Sequence, residues 1–71
     1  MLKNTIKSKD ITPGQWIETS ENVRVFVLSC RPINNYHYRL SGHEYKTSNG
    51  RAVMDKVVTS IAAEREFILL C

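Results

Sequence analysis

The sequence has few cysteines and no long apolar stretch. Its 71 residues include only Cys30 and Cys71, which are too few for a disulfide framework, so we expect two free thiols in a reducing compartment. No segment approaches the roughly 20 apolar residues that a membrane-spanning helix needs, and no apolar signal core follows the first lysine. These absences predict a soluble, cytoplasmic protein that does not enter a membrane.

Glycine-rich loops and metal-ligand spacings are also missing. Gly14, Gly42 and Gly50 lie far apart in the chain, so none of them belongs to a loop that could cradle a phosphate. His37 and His43 are separated by five residues and the two cysteines are distant, whereas zinc ligands come from closer pairs. We therefore predict no metal site and no cofactor.

The best candidate for a nucleophilic centre is Cys30 beside His37. A reactive thiolate requires an electropositive pocket and an oriented base, and nothing in the sequence marks an oxyanion hole or a third, orienting group. A cysteine that packs as a small apolar side chain on a sheet is the preferred interpretation. The seven carboxylates show no paired arrangement suited to acid–base chemistry, so we predict that the protein is not an enzyme.

The length and the charge of the chain are typical of a small globular domain. A chain of 71 residues forms one domain, spanning 1–71, and its 24% of charged residues is typical of a globular protein. The net charge of +3 is mild and compatible with a nucleic acid, an acidic protein partner or solubility alone. Lys3, Lys7 and Lys9 give the N-terminus a basic bias without the dense run of a nucleic-acid arm.

The pattern of residues predicts a mainly β fold built on a central hairpin. Pro13 and Gly14 predict a type II turn ahead of a short strand at Trp16. Residues 23–28 are β-branched and aromatic, and residues 36–40 alternate in polarity, so we expect an antiparallel pair joined by a loop at 32–35.

A four-residue loop would place Arg31 opposite Tyr36 and Phe26 opposite Ser41. In that register the inner face contains Val25, Val27, Tyr38 and Leu40. The outer face then contains Arg24, Phe26, Leu28, Cys30, His37, Arg39 and His43.

The C-terminal third is predicted to contain a helix and a closing strand. The spacing of Val53, Met54, Val57, Val58 and Ile61 fits one helical face, although the valine and threonine content also favours a strand. We predict a helix within 52–64 and a buried strand over 66–70. The resulting fold class is α+β, a small antiparallel SH3-like roll or barrel of four to five strands. An open sheet of three or four strands with the helix across one face is the alternative.

The predicted binding residues are Arg24, Phe26, His37, Arg39 and Trp16. The leading hypothesis is a regulatory or inhibitory protein that docks on another protein through aromatic anchors, with a homodimer as a compatible state. In size the chain resembles the small accessory proteins of phages and other mobile elements, although no motif carries that likeness. The alternative is a nucleic-acid-binding module whose basic and aromatic sheet face stacks on single strands.

Overall fold

The computed structural model describes residues 4–70, which form one antiparallel sheet of six strands. Lys3 and Cys71, which figured in the expectations above, lie outside the described residues. A short 3-10 helix, Ser8–Asp10, follows the first strand. The strands are β1 (Thr5–Lys7), β2 (Trp16–Ser20), β3 (Val23–Pro32), β4 (His37–Ser48), β5 (Arg51–Ala62) and β6 (Glu66–Leu69).

The sheet is open but strongly curled. Its order is β1-β6-β2-β3-β4-β5, so β6 and β5 are four strand positions apart, which in a flat sheet would be about 19 Å. Residues 63–65 alone connect them, and such a link spans at most about 15 Å. The end of β5 must therefore bend over the inner face towards β6.

The curl encloses a small apolar core on the inner face. Ile17, Val25, Val27 and Leu40 are fully buried, which confirms the predicted inward direction of these two β3 residues and of Leu40. Burying each such side chain stabilises the fold by about 1.5–3 kcal/mol before entropy is counted. The core residues are Ile11, Ile17, Val25, Val27, Leu40, Ile61 and Phe67.

Ser8 holds the curled sheet together from the side of the 3-10 helix. Its side chain is fully buried, and its hydroxyl donates a hydrogen bond of 2.7 Å to the carbonyl oxygen of Ala62. Its backbone N–H donates to the carbonyl oxygen of Arg65 at 3.0 Å. A buried hydroxyl is tolerated because its hydrogen bonds are satisfied, and these bonds tie the β5–β6 connection to the start of the chain.

The helix predicted within 52–64 is wrong. That segment is β5, a strand of twelve residues that pairs with β4 along its whole length. The two strands are joined at Asn49–Gly50, where both residues have positive φ, 52° and 77°, as a type I′ hairpin turn requires. This turn and the β-branched run at 57–59 outweigh the apolar spacing, which fitted a helical face by coincidence.

The predicted SH3-like roll or barrel is also wrong in closure and strand number. The described chain forms an open six-stranded sheet in which β1 and β5 remain as edges, and the α+β class fails because no α-helix is present within residues 4–70. The strand expected over 66–70 is present as β6, Glu66–Leu69. The short strand β1 had no counterpart in the sequence-based expectation.

The central β3–β4 hairpin is confirmed, but its predicted register is wrong. Arg31 pairs with Arg39, not with Tyr36, and Phe26 pairs with His43. The side chain of Asn34 accepts hydrogen bonds from the backbone N–H groups of Tyr36 and His37 at 2.8 and 2.9 Å. This side-chain turn moves the reversal towards the C-terminus, which leaves Tyr36 in the loop and 75% exposed.

Candidate functional site: the outer face of the sheet

The convex side of the sheet, opposite the core, carries two cross-strand rows that we call the outer face. Register pairs define both rows, since directly paired residues point to the same side of a sheet. The first row contains Trp16, Phe26, His43 and Lys56, and the second contains Glu18, Arg24, Tyr45 and Met54.

Three aromatic rings meet at the centre of the outer face. The ring centroid of Trp16 lies 5.1 Å from that of Phe26 and 5.2 Å from that of Tyr45. Trp16 and Tyr45 belong to strands on either side of β3, so their rings lean towards each other across it. Such tilted contacts contribute about 0.5–1.5 kcal/mol per pair. The rings therefore form a fixed cluster, which we call the aromatic cluster.

Arg24 lies beside the aromatic cluster, between two shallow hollows. One hollow, of about 280 Å³, is lined by Trp16, Tyr45 and Ala52 among others. The other, of about 270 Å³, is bordered by Glu18 and Leu70. Arg24 lines both. No ion pair or side-chain hydrogen bond of Arg24 is formed within residues 4–70, so its guanidinium fork is available to an incoming group.

Apolar side chains extend the aromatic cluster towards the edge of the sheet. Tyr45, Met54 and Val58 are 36%, 54% and 68% exposed, and Met54 is directly opposite Tyr45 in the register. Large apolar groups of this kind on adjacent strands are typical of surfaces that bind a partner. The outer face is thus aromatic at its centre and aliphatic towards β5.

The five residues predicted as a binding site divide into two groups. Trp16, Arg24 and Phe26 come together on the outer face as described. Arg39 lies six residues along β4 from Tyr45, the partner of Arg24, or about 20 Å away. The expectation that Arg24 and Arg39 share one patch is therefore wrong, because the true register shifts β4 by two to three residues relative to β3.

The second group forms a separate basic end of the sheet. Arg39 pairs directly with Arg31, and His37 lies two positions away on the same side of β4. Both arginines are exposed. Like charges placed directly opposite each other weaken a sheet, so an anionic partner at this end would relieve their repulsion.

Cys30 points to the inner side and not, as predicted, to the outer face. It pairs with Leu40 and packs against the core, because an irregularity between Val27 and Ser29 shifts the alternation of β3. Its thiol donates to the carbonyl oxygen of Ser8 at 3.5 Å. Burial raises the pKa of the Cys30 thiol, and a protonated thiol is a poor nucleophile.

Among residues 4–70, candidate metal ligands do not cluster, and Cys30 and His37 do not come together. Within residues 4–70, no three side chains of His, Cys, Asp or Glu come close enough to hold a metal ion. Cys30 and His37 are not register partners, so the suggested thiol–imidazole pair does not form. The same part of the chain contains no helix of the length and apolar character needed to cross a membrane.

An exposed ion pair joins β1 to the segment that follows β5. The ammonium of Lys7 is 3.1 Å from a carboxylate oxygen of Glu64. The hydrogen bond and charge of Lys7 hold the pKa of Glu64 below its usual value, and those of Glu64 raise the pKa of Lys7. Both side chains are largely exposed, so the pair adds little to stability but links β1 to the β5–β6 connection.

Comparison with known proteins identifies no relative of this chain. No family model, curated protein or solved structure matches the chain significantly.

Sequence reasoning identified the central residues but missed their neighbours near β5. Tyr45 is not among the predicted binding residues, although its spacing from His43 places both on one side of β4. Met54 and Val58 were assigned to a helix. The Asn49–Gly50 turn is the signal that could have placed them, since it marks a hairpin between β4 and β5.

Proposed function

We propose that this chain is a non-enzymatic, cytoplasmic protein that regulates or inhibits another protein by docking on it through the outer face. The observation that carries this proposal is the aromatic cluster, which is partly exposed, adjacent to the exposed Met54, and flanked by Arg24. Tryptophan, tyrosine and arginine are the residues that most often dominate the binding energy of protein interfaces.

The packing of the rings favours a protein partner over a single-stranded nucleic acid. Bases stack on exposed ring faces, whereas the rings of Trp16 and Phe26 cover each other at 5.1 Å and are both half-buried. The surrounding exposed groups, Met54 and Val58, are aliphatic and suited to apolar side chains. Arg24 would then pair with a carboxylate at the rim of the interface.

The test uses the purified protein as bait in a cell lysate treated with nuclease, followed by binding measurements with the protein captured. Tyr45→Ala removes an exposed ring from the aromatic cluster, and Arg24→Glu reverses the adjacent charge. We expect Tyr45→Ala to weaken binding by at least tenfold, since interface anchors contribute about 2 kcal/mol or more. Arg24→Glu should also weaken binding, because reversing the charge slows association.

Arg31→Glu is the matched control, because it reverses an equally exposed arginine at the basic end, away from the aromatic cluster. It should leave the affinity for the captured protein unchanged. A partner whose binding is insensitive to Tyr45→Ala, with the variant folded by circular dichroism, would contradict docking through the outer face.

One observation favours nucleic-acid binding as a second candidate. Arg31 and Arg39 are direct cross-strand partners, and His37 lies beside them, which concentrates positive charge at the basic end. We propose that phosphate groups would contact this end if a nucleic acid is the ligand. Affinity for an oligonucleotide should then fall steeply with salt and be lost in Arg31→Glu with Arg39→Glu, but not in Tyr45→Ala.

A further inference from the structure

β5 is a long edge strand with no neighbouring strand on its free side among residues 4–70. It runs for twelve residues, pairs with β4 without a bulge, contains no proline, and has charges between its ends only at Asp55 and Lys56. Edge strands that stay unpaired are usually short, bulged, or interrupted by proline or charge. The opposite edge, β1, has only three residues. β5 therefore lacks the usual protection.

The turn geometry decides which backbone groups of β5 face outward. A two-residue type I′ turn is closed by a pair that exchanges both backbone hydrogen bonds, here Ser48 and Arg51. Alternation then directs the N–H and C=O groups of odd-numbered β5 residues to β4. The 2.8 Å bond from the N–H of Ala63 to the carbonyl oxygen of Tyr36 continues this ladder. The groups that point to the free side belong to Ala52, Met54, Lys56, Val58 and Ser60, whereas the carbonyl oxygen of Ala62 already accepts hydrogen bonds from Ser8 and Arg65.

We propose that the free edge of β5 binds β5 of a second copy of this chain, antiparallel and around a two-fold axis at Val57. The two six-stranded sheets then join into one continuous sheet, with both outer faces on the same side. The occupant is a second copy because β5 is complementary to itself in this register.

Symmetry and charge together restrict the register. A two-fold axis perpendicular to the sheet keeps each side chain on its own face. Odd-numbered residues therefore pair with odd-numbered residues and even-numbered with even-numbered, so the axis must pass through a residue. An axis at Asp55 or at Lys56 would place two identical charges directly opposite each other, which is destabilising. An axis at Val57 avoids both, because Lys56 then faces Val58 of the second copy and Asp55 faces Thr59.

The same register matches apolar side chains on both faces of the joined sheet. On the inner face, Val53 lies opposite Ile61 of the second copy, and the two Val57 side chains meet at the axis. On the outer face, the 68% exposed Val58 lies against the aliphatic stem of Lys56. Moving the axis to Val58 would instead place Asp55 opposite Ile61, a position that is buried in the described chain.

The assembly closes as a dimer. Each copy uses its β5 edge once, so the contact is isologous and cannot propagate into a filament. Dimerisation also leaves the aromatic cluster on the surface. Dimer formation can be measured without any other partner protein. Failure of the docking proposal and failure of the dimer are therefore distinguishable.

The first experiment measures molar mass by sedimentation over a concentration series. The chain of 8.2 kDa should have twice that mass at high concentration and dissociate on dilution. Val58→Pro removes an outward N–H while leaving every bond to β4, as proline is tolerated on an edge, and should give a monomer. Val58→Thr keeps the N–H and the β-branched shape and should remain dimeric. A wild-type monomer at every concentration, or a dimer unaffected by Val58→Pro, would overturn the proposal.

The second experiment tests the register without requiring Val58→Pro to fold. In a background with Cys30→Ala and Cys71→Ser, Val57→Cys places two thiols at a pair whose Cα atoms are about 4.5 Å apart, within disulfide range. Oxidation should crosslink this variant nearly completely. Asp55→Cys, the matched control, should crosslink poorly. Efficient crosslinking of Asp55→Cys and not Val57→Cys would overturn the proposed register.

Discussion

Replacing Gly42 with alanine should severely destabilise the fold. Gly42 is buried in β4 and pairs with Val27, where β3 comes close enough that an added Cβ would overlap the carbonyl oxygen of Phe26. The same Cβ would lie 2.9 Å from Cγ1 of Val25 and 3.1 Å from the carbonyl carbon of Phe26. Two of these three atoms belong to the backbone, so no side-chain rotation can relieve the overlap.

The expected loss of stability is large because backbone atoms cannot rotate out of the way. Overpacking a core costs about 1–3 kcal/mol and sometimes more, and a clash with backbone places Gly42→Ala at the upper end, about 3 kcal/mol. A domain of this length has a total stability of roughly 4–10 kcal/mol. The midpoint of thermal unfolding, followed by circular dichroism, should therefore fall by roughly 12–24 °C.

Gly14→Ala is the matched control for this experiment. An added Cβ at Gly14 meets nothing within 4 Å, and its φ is +90°, so it tests conformational strain alone, at roughly 1–2 kcal/mol. Gly42 has no positive φ, so the loss of stability in Gly42→Ala must come from the steric overlap. If Gly42→Ala melts within a few degrees of wild type, the close approach of β3 and β4 at this point is incorrect.

Two further perturbations test the core and the ion pair. Val25→Ala and Val27→Ala should each lower the free energy of unfolding by more than about 1 kcal/mol in urea. Val58→Ala, at a position exposed in the single chain, should change it by less than about 0.5 kcal/mol when measured at a concentration where the chain is monomeric. Equal losses for all three variants would contradict the assignment of Val25 and Val27 to the inner face. Because Lys7 lowers the pKa of Glu64 below 4.5 in the folded chain, the pair stabilises the fold above the unfolded carboxyl's pKa and loses that effect as pH falls through the folded one. The stability gap between wild type and Glu64→Gln should therefore narrow on acidification, and a gap independent of pH would argue against the pair.

Local signals in the sequence predicted the central hairpin and the direction of the β3 side chains as far as Val27. Alternation along β3 correctly separated Val25 and Val27, which are buried, from Arg24 and Phe26 on the outer face. The pair of residues at Pro13–Gly14 likewise forms the expected turn, with Gln15 donating to the carbonyl oxygen of Thr12. These features depend on neighbouring residues only, so a single sequence contains them.

The helix error at β5 has a different origin. An edge strand buries little on either face, so β5 shows no strict alternation, and only Ile61 within it is fully buried. Apolar residues at 53, 54, 57, 58 and 61 then satisfy a helical period as well as a strand. Pairing with β4 decides between the two, and that is a tertiary interaction.

The register error explains why the five predicted binding residues do not lie in one patch. The Asn34 side chain and the irregularity between Val27 and Ser29 each shift β4 relative to β3, and neither has a distinct sequence signal. A shift of two to three residues is about 7–10 Å along a strand. It moves Arg39 away from the aromatic cluster and brings Tyr45 beside it.

The buried Ser8 also constrains the order in which the chain can fold. Its hydroxyl reaches Ala62 across a sequence separation of 54 residues, whereas the β3–β4 and β4–β5 hairpins form between neighbours in the chain. Closing so large a loop is entropically slow, so the hairpins should appear first and the curl of the sheet last. During synthesis on the ribosome, the β3–β5 meander would wait, with one side of its core uncovered, until residue 65 had emerged. That exposed interval is where a chaperone or a second nascent chain would meet it.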